Sequence, residues 1–330
     1  MKHAEPVGKR RLHKEGMSGQ PMLPNLIVPG AQKSGTSALH QYLRAHPQCV
    51  MSSPKEPHFF TRGFSRSDID EYRKCFADRD GKQDVRTVGE SSTTYLSNPN
   101  VPARIRETLG GDVRVVIMLR NPVERAVSAY WHMHKRGEER TIHEALSPES
   151  PNLENAVASE FDSVQAADRS ETIDTKTSND AIGDRHFNFR YLRNSCYLDD
   201  LRRYTATFGS ERIMVVLLED LAAEPVGEFR RITKFLELDD IVPACVGVRI
   251  KETRVSRRGR IMSTAHQVAR SLPGRALSVI RPSLMRLTSL PRPTTPRPIR
   301  ASLESLFAPH NIELSSYLGI DLQKRWRVAK

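Results

Sequence analysis

Cysteine is scarce in this 330-residue chain, and its four copies (Cys49, Cys75, Cys196 and Cys245) stand singly, with no C-x-x-C pair. A zinc site and a disulfide framework are therefore not indicated, and core or surface thiols are the expectation. Long apolar runs are lacking too. Nothing approaches the ~18 residues of a membrane span, and the opening MKHAEPVGKRRLHKEGMSG is basic without the apolar stretch of a signal peptide. A soluble, cytoplasmic protein is the expectation. Hydrophobic residues at 38% and charged residues at 27% leave material for a core and exclude wholesale disorder.

Acid is nearly absent from one long stretch. Between Arg249 and Arg300 thirteen Lys and Arg face the single acid Glu252, an excess equal to the whole chain's net charge of +12. Such a belt suits nucleic acid, an anionic membrane surface or a small polyanion. Nucleic acid is disfavoured, because the belt has no aromatic residue to interleave with its arginines and no recognisable binding module. From Glu144 to Asp184 the bias reverses, with ten acids against Arg169 and Lys176. Residues 147–184 read as an acidic surface insertion, and 272–300, with six prolines, as a basic loop or linker. Residues 1–22 form a basic tail, and 23–330 form one domain.

Apolar patterning alternates strand with helix. NLIVP (Asn25 to Pro29) leads through a glycine-bearing loop into SALHQYLRAH, Thr87 to Gly89 suits a second strand, and VRVVIML (Val113 to Leu119) is the strongest one. VERAVSAYWHMHKR, YLDDLRRYTATF and EFRRITKFLEL have helical spacing, RIMVVLL is β-rich, and helix resumes at SLESLFAPHNIELSSYLG. This order predicts an α/β, P-loop-type three-layer fold, with a central parallel sheet flanked by helices.

Ligands of such sheets bind at the carboxyl ends of strands, where helix N-termini offer free N–H groups. Two segments fit that place. Gly30-Ala31-Gln32-Lys33-Ser34-Gly35-Thr36-Ser37 resembles a phosphate-cradling loop, but Thr36 stands where the Walker pattern G-x-x-x-x-G-K-[ST] puts its lysine. A lysine displaced to position 33 suits a ligand whose reacting group lies near the first phosphate. After the strongest strand comes Leu119-Arg120-Asn121-Pro122, entering a helix that carries Ser128. An arginine and a hydroxyl there can grip a second phosphate. The plainer alternatives are a glycine-containing turn with an exposed lysine and an ordinary helix residue at Ser128.

Together these segments resemble the sulfotransferase family, whose co-substrate is 3′-phosphoadenosine 5′-phosphosulfate, over roughly Asn25 to Trp326. PGAQKSGTSAL looks like its 5′-phosphosulfate loop, and VVIMLRNPVERAVSAYWH like its 3′-phosphate segment. SSPKEPHFF and GESSTTYL match as well, and the former is most like the carbohydrate branch, which includes the heparan sulfate enzymes and many bacterial relatives. The resemblance implies Glu56 as catalytic base, His58 as helper at the acceptor, and Lys33 beside the leaving group. It also implies cofactor contacts from Lys33, Ser34, Gly35, Thr36 and Ser37, from Arg120 and Ser128, and from Arg257 or Arg258 in the late basic loop. The scheme requires no metal. A carboxylate suits the base because the acceptor hydroxyl must lose a proton, and a lysine stabilises charge growing on the bridging oxygen. For Glu56 the plainer reading is a solvated partner of Lys55, and for His58 packing against Phe59 and Phe60.

Glycosaminoglycan-acting members carry lysine at Ser91 and several carry arginine at Ser37. Both differences remove charge that would hold a polyanionic chain. A hydroxyl, or an amine as the lesser alternative, of a glycan, glycolipid or small metabolite is therefore the expected acceptor, in a bacterial enzyme; contact of the basic belt with an anionic membrane surface is a further expectation. Two other readings stay open: a P-loop kinase for a small molecule, and a non-catalytic nucleotide- or polyanion-binding protein. Oligomeric state is not specified by the sequence.

Overall fold

Strand β4 (Arg114–Leu119) sends alternate side chains to two different cores. Val115, Ile117 and Leu119 pack on one face and Val116 and Met118 on the other, all fully buried. A strand buried on both sides is central to a covered parallel sheet. The computed structural model describes residues 22–61, 64–78, 81–82, 84–134, 136, 138–147, 190–248, 255–256, 289–290 and 293–327. Five parallel strands run in the order β2-β3-β1-β4-β5, with β1 at Leu26–Ile27, β2 at Cys49–Met51, β3 at Thr87–Glu90 and β5 at Ile213–Leu217. The α/β expectation holds.

Helices α1 (Thr36–Ala45), α2 (Ile69–Lys74), α3 (Val101–Leu109), α4 (Pro122–His134) and α5 (Ile142–Ala145) follow in chain order. After them come α6 (Leu198–Phe208), α7 (Leu218–Ala223), α8 (Pro225–Phe235), α9 (Arg297–Leu318) and α10 (Leu322–Arg327). Leu39 and Leu43 of α1 and Phe229 and Ile232 of α8 cover one face, and Ile105 of α3 and Leu201 and Tyr204 of α6 the other. A third cluster joins Val127 and Tyr130 of α4 to Leu303 and Phe307 of α9. Among the described residues no helix is long and apolar enough to cross a membrane.

The expected strands and helices appear within a few residues of their predicted limits. Among the described residues, β2, α2, α3, α5, α7 and α10 were not foreseen. The basic loop read through Arg300 ends sooner, because α9 begins at Arg297 with Pro298 in its first turn, where a missing N–H leaves no bond unmade. A short pair, β6 (Val255–Ser256) and β7 (Ser289–Leu290), lies within the basic region. The tail 1–21, the segment 148–189 and most of 249–292, with Arg257 and Arg258, lie outside the described residues.

Candidate active site

Strand order reverses between β1 and β4, since β3 and β2 lie to one side of β1 and β4 and β5 to the other. A crevice opens outside the carboxyl ends at such a switch point. The loops leaving β1 and β4 are the two segments singled out in the sequence.

The first loop is held by the second strand. Met118 N donates to the Gly30 carbonyl at 2.7 Å, and Ala31 N donates to the Met118 carbonyl at 2.6 Å. Gly35 has φ +89°, and a Cβ there would sit 2.7 Å from Leu218 Cδ1, so only glycine fits the turn into α1. No side chain caps α1 at Gly35, which leaves first-turn amides in want of an acceptor. The amide of Ser34 is used within the turn, donating to Ala31 O at 3.2 Å, but its hydroxyl is buried with no partner. An orphaned hydroxyl beside an uncapped helix start fits a phosphate or sulfate group. Thr36 is buried, and Lys33 and Ser37 are half-buried, in this loop and first turn.

At the end of β4, Arg120 turns toward that loop. Its Nη1 donates to the Lys33 carbonyl at 3.2 Å, its Nη2 lies 3.7 Å from Glu124, and Tyr197 Oη donates to its carbonyl at 2.8 Å. The Asn121 side chain accepts from Val123 N and Glu124 N at 3.0 and 3.2 Å, which starts α4 sharply. Ser128 is buried two turns along that helix.

The third part comes from the segment after β2. Lys55 Nζ donates to Glu56 Oε1 at 2.5 Å, Thr93 Oγ1 donates to Glu56 Oε2 at 3.2 Å, and His58 Nε2 lies 3.5 Å from the same oxygen. His58 Nδ1 is 3.0 Å from Thr94 Oγ1, which fixes the ring. Burial alone would push the Glu56 carboxyl up, but Lys55, His58 and Thr93 outweigh it and hold the group below the usual carboxylate range. His40, buried near Lys55 and 3.1 Å from Ser91 Oγ, is driven down to about 4, chiefly by burial. It is neutral at physiological pH.

Thr93 joins the parts. A Cβ on Gly30 would lie 3.3 Å from the Thr93 carbonyl, while the Thr93 hydroxyl binds Glu56. Thr93 thus lies against Gly30, at the start of the Lys33 loop, through its carbonyl and binds Glu56 through its hydroxyl. The plain pairing of Glu56 with Lys55 is also present, yet the carboxylate is only 32% exposed and has two further neighbours. Thr93, Thr94 and Glu124 are site residues that sequence reasoning passed over. The GESSTTYL match was the available signal for the two threonines.

The model of the sulfotransferase domain matches residues 23–271. Human heparan sulfate glucosamine 3-O-sulfotransferase 3B1 is 29% identical over 226 residues, 68% of this chain and 49% of that protein. A membrane-associated sulfotransferase of Dictyostelium discoideum, kil1, is 38% identical over 108 residues, 33% of this chain and 22% of that one. This chain thus spans about half the length of the heparan sulfate relative, or less. A solved sulfotransferase from Alicyclobacillus acidocaldarius superposes with TM-score 0.60 at 25% identity, covering 93% of this chain and 99% of its own. The family model covers well over half of the chain, and the chain belongs to the sulfotransferase family.

Proposed function

We propose that this protein is an enzyme that moves the sulfuryl group of 3′-phosphoadenosine 5′-phosphosulfate to a hydroxyl of a glycan, glycolipid or small metabolite. The observation that carries the reading is Thr93, whose carbonyl lies against Gly30 at the start of the Lys33 loop and whose hydroxyl binds the Glu56 carboxylate, held below the usual carboxylate range. The co-substrate supplies an activated sulfuryl group on a phosphate leaving group. Ser34, the first-turn amides of α1 and Lys33 hold the 5′ end, and Arg120 with Ser128 serves the 3′-phosphate. Glu56 Oε2 takes the acceptor proton, and His58, fixed by Thr94, orients the acceptor or the carboxylate. Lys33 steadies charge on the departing oxygen. The names of the human and mouse relatives favour a sugar hydroxyl as acceptor. Ser91 and Ser37 in place of basic residues favour one less anionic than heparan sulfate.

Two measurements test this. Adenosine 3′,5′-bisphosphate without magnesium is expected to stabilise by ~2.7 kcal/mol at a hundredfold excess over Kd, with magnesium-ATP doing markedly less. The reverse order favours a kinase. With labelled phosphosulfate donor and a panel of sugars, glycolipids and phenols, Glu56→Gln is expected to lose ~10²–10⁴-fold in turnover while the bisphosphate binds almost unchanged. If Glu56→Gln turns over normally and His58→Ala does not, histidine is the base.

A further inference from the structure

The segment carrying Glu56 and His58 is poorly suited to hold its own shape. Both residues have left-handed backbones, φ 64° and 58°, which side-chain-bearing residues adopt only under constraint from their surroundings. Beside the holds of Lys55, Thr93 and Thr94, several contacts of this segment lead back to one buried carboxylate. Glu90 ends β3 with no solvent exposure, and three hydroxyls converge on it: Tyr72 at 2.5 Å and Tyr95 at 3.0 Å on Oε1, and Ser92 at 2.6 Å on Oε2. Two of these donors reach onward to the loop. Ser92 Oγ accepts from His58 N at 3.1 Å, and Tyr95 Oη accepts from Phe60 N at 3.2 Å. The third, Tyr72, stacks on Phe59 with ring centroids 4.2 Å apart. Three successive residues of the loop are thus gripped by groups that Glu90 orients.

We propose that Glu90 is a positioning residue: through Ser92, Tyr95 and Tyr72 it clamps the His58–Phe60 segment to the end of β3 and so fixes where Glu56 and His58 stand. Burial pushes the Glu90 carboxyl up to about 7 while the three hydroxyl donors favour its ionised form, and in that form a carboxylate suits the task because it only accepts. Each hydroxyl must spend its proton on Glu90, which leaves the Ser92 and Tyr95 oxygens as acceptors for the loop amides.

The effect on rate rests on the sulfotransferase reading, but the clamp itself does not. Ser92→Ala and Tyr95→Phe each remove one relay and leave the carboxylate in place, so the test survives if Glu90→Gln fails to fold. Amide exchange is expected to quicken about tenfold at His58 in Ser92→Ala and at Phe60 in Tyr95→Phe, a lost hydrogen bond's worth. Turnover with the best acceptor of the panel is expected to fall about tenfold or more, since small misplacement of reacting groups is costly. Affinity for adenosine 3′,5′-bisphosphate is expected to stay within about twofold, and Ser92→Thr, which keeps the hydroxyl, to restore both exchange and turnover. Unchanged exchange at both amides overturns the clamp. Faster exchange with wild-type turnover overturns the positioning role. If the wild type itself transfers nothing, the functional reading falls, and exchange still decides whether Glu90 clamps the loop.

Discussion

Glu56 gains its acidity from Lys55. Burial pushes its carboxyl up, and the ammonium 2.5 Å away does most to bring it below the usual range. As the proposed base, Glu56 works only when ionised, so the acid limb of the wild-type pH–rate profile is expected below the normal carboxylate region. Lys55→Met removes the main opposing influence and lets burial prevail. Its acid limb should move to higher pH, while turnover well above that limb is largely kept. Profiles of kcat/KM against pH for the two proteins check this. A limb that stays put would show that another group titrates there.

Elements explain which parts of this architecture are legible from sequence. β4 announces itself, because a strand covered on both faces needs a continuous apolar run and VRVVIML is one. β2 does not, for Cys49–Met51 is three residues long and its place beside β3 comes from pairing across the sheet. Prolines misled the reading of α9, since Pro298 in a first turn favours helix where six prolines in a stretch suggest loop. The two segments proposed to hold phosphates could be singled out in the sequence because each is contiguous. The clamp around Glu90 was not, because Tyr72 comes from α2 and meets the carboxylate only in three dimensions. The turn into α1 gives a sharper test at this scale. Gly35→Ala adds a Cβ at φ +89° and within 2.7 Å of Leu218 Cδ1. A cost of roughly 2 kcal/mol or more is expected, with a lower Tm. The stabilisation given by adenosine 3′,5′-bisphosphate should shrink as well. A variant with wild-type Tm and wild-type ligand response would mean that the loop relaxes freely.

At the scale of the whole molecule, the folded unit runs past the end of the family match at residue 271. Leu303 and Phe307 of α9 are fully buried against α4, and Leu314, Leu322 and Trp326 enter the core that α3 and α6 share. Phe307→Ala should therefore cost ~3–5 kcal/mol, as a core truncation does. The same helix reaches the candidate site by charge. Arg300 donates to Glu124, and Glu124 faces Arg120 at 3.7 Å, so one carboxylate is divided between two arginines. Removing Arg300 lets Glu124 pair more strongly with Arg120, where it would compete with the proposed 3′-phosphate for the guanidinium. Arg300→Ala is thus expected to raise the Kd for adenosine 3′,5′-bisphosphate by about three- to tenfold, the range of one charge-assisted contact at a partly exposed site. Arg300→Lys should recover part of that loss, and Arg120→Ala should exceed it. Because Arg300 is 41% exposed, salt should narrow the difference between Arg300→Ala and wild type. Calorimetric titrations at two ionic strengths distinguish this coupling from packing: the helix's apolar face is untouched, so Tm without ligand should barely move. An unchanged Kd would confine α9 to the core and leave Arg120 to act without it.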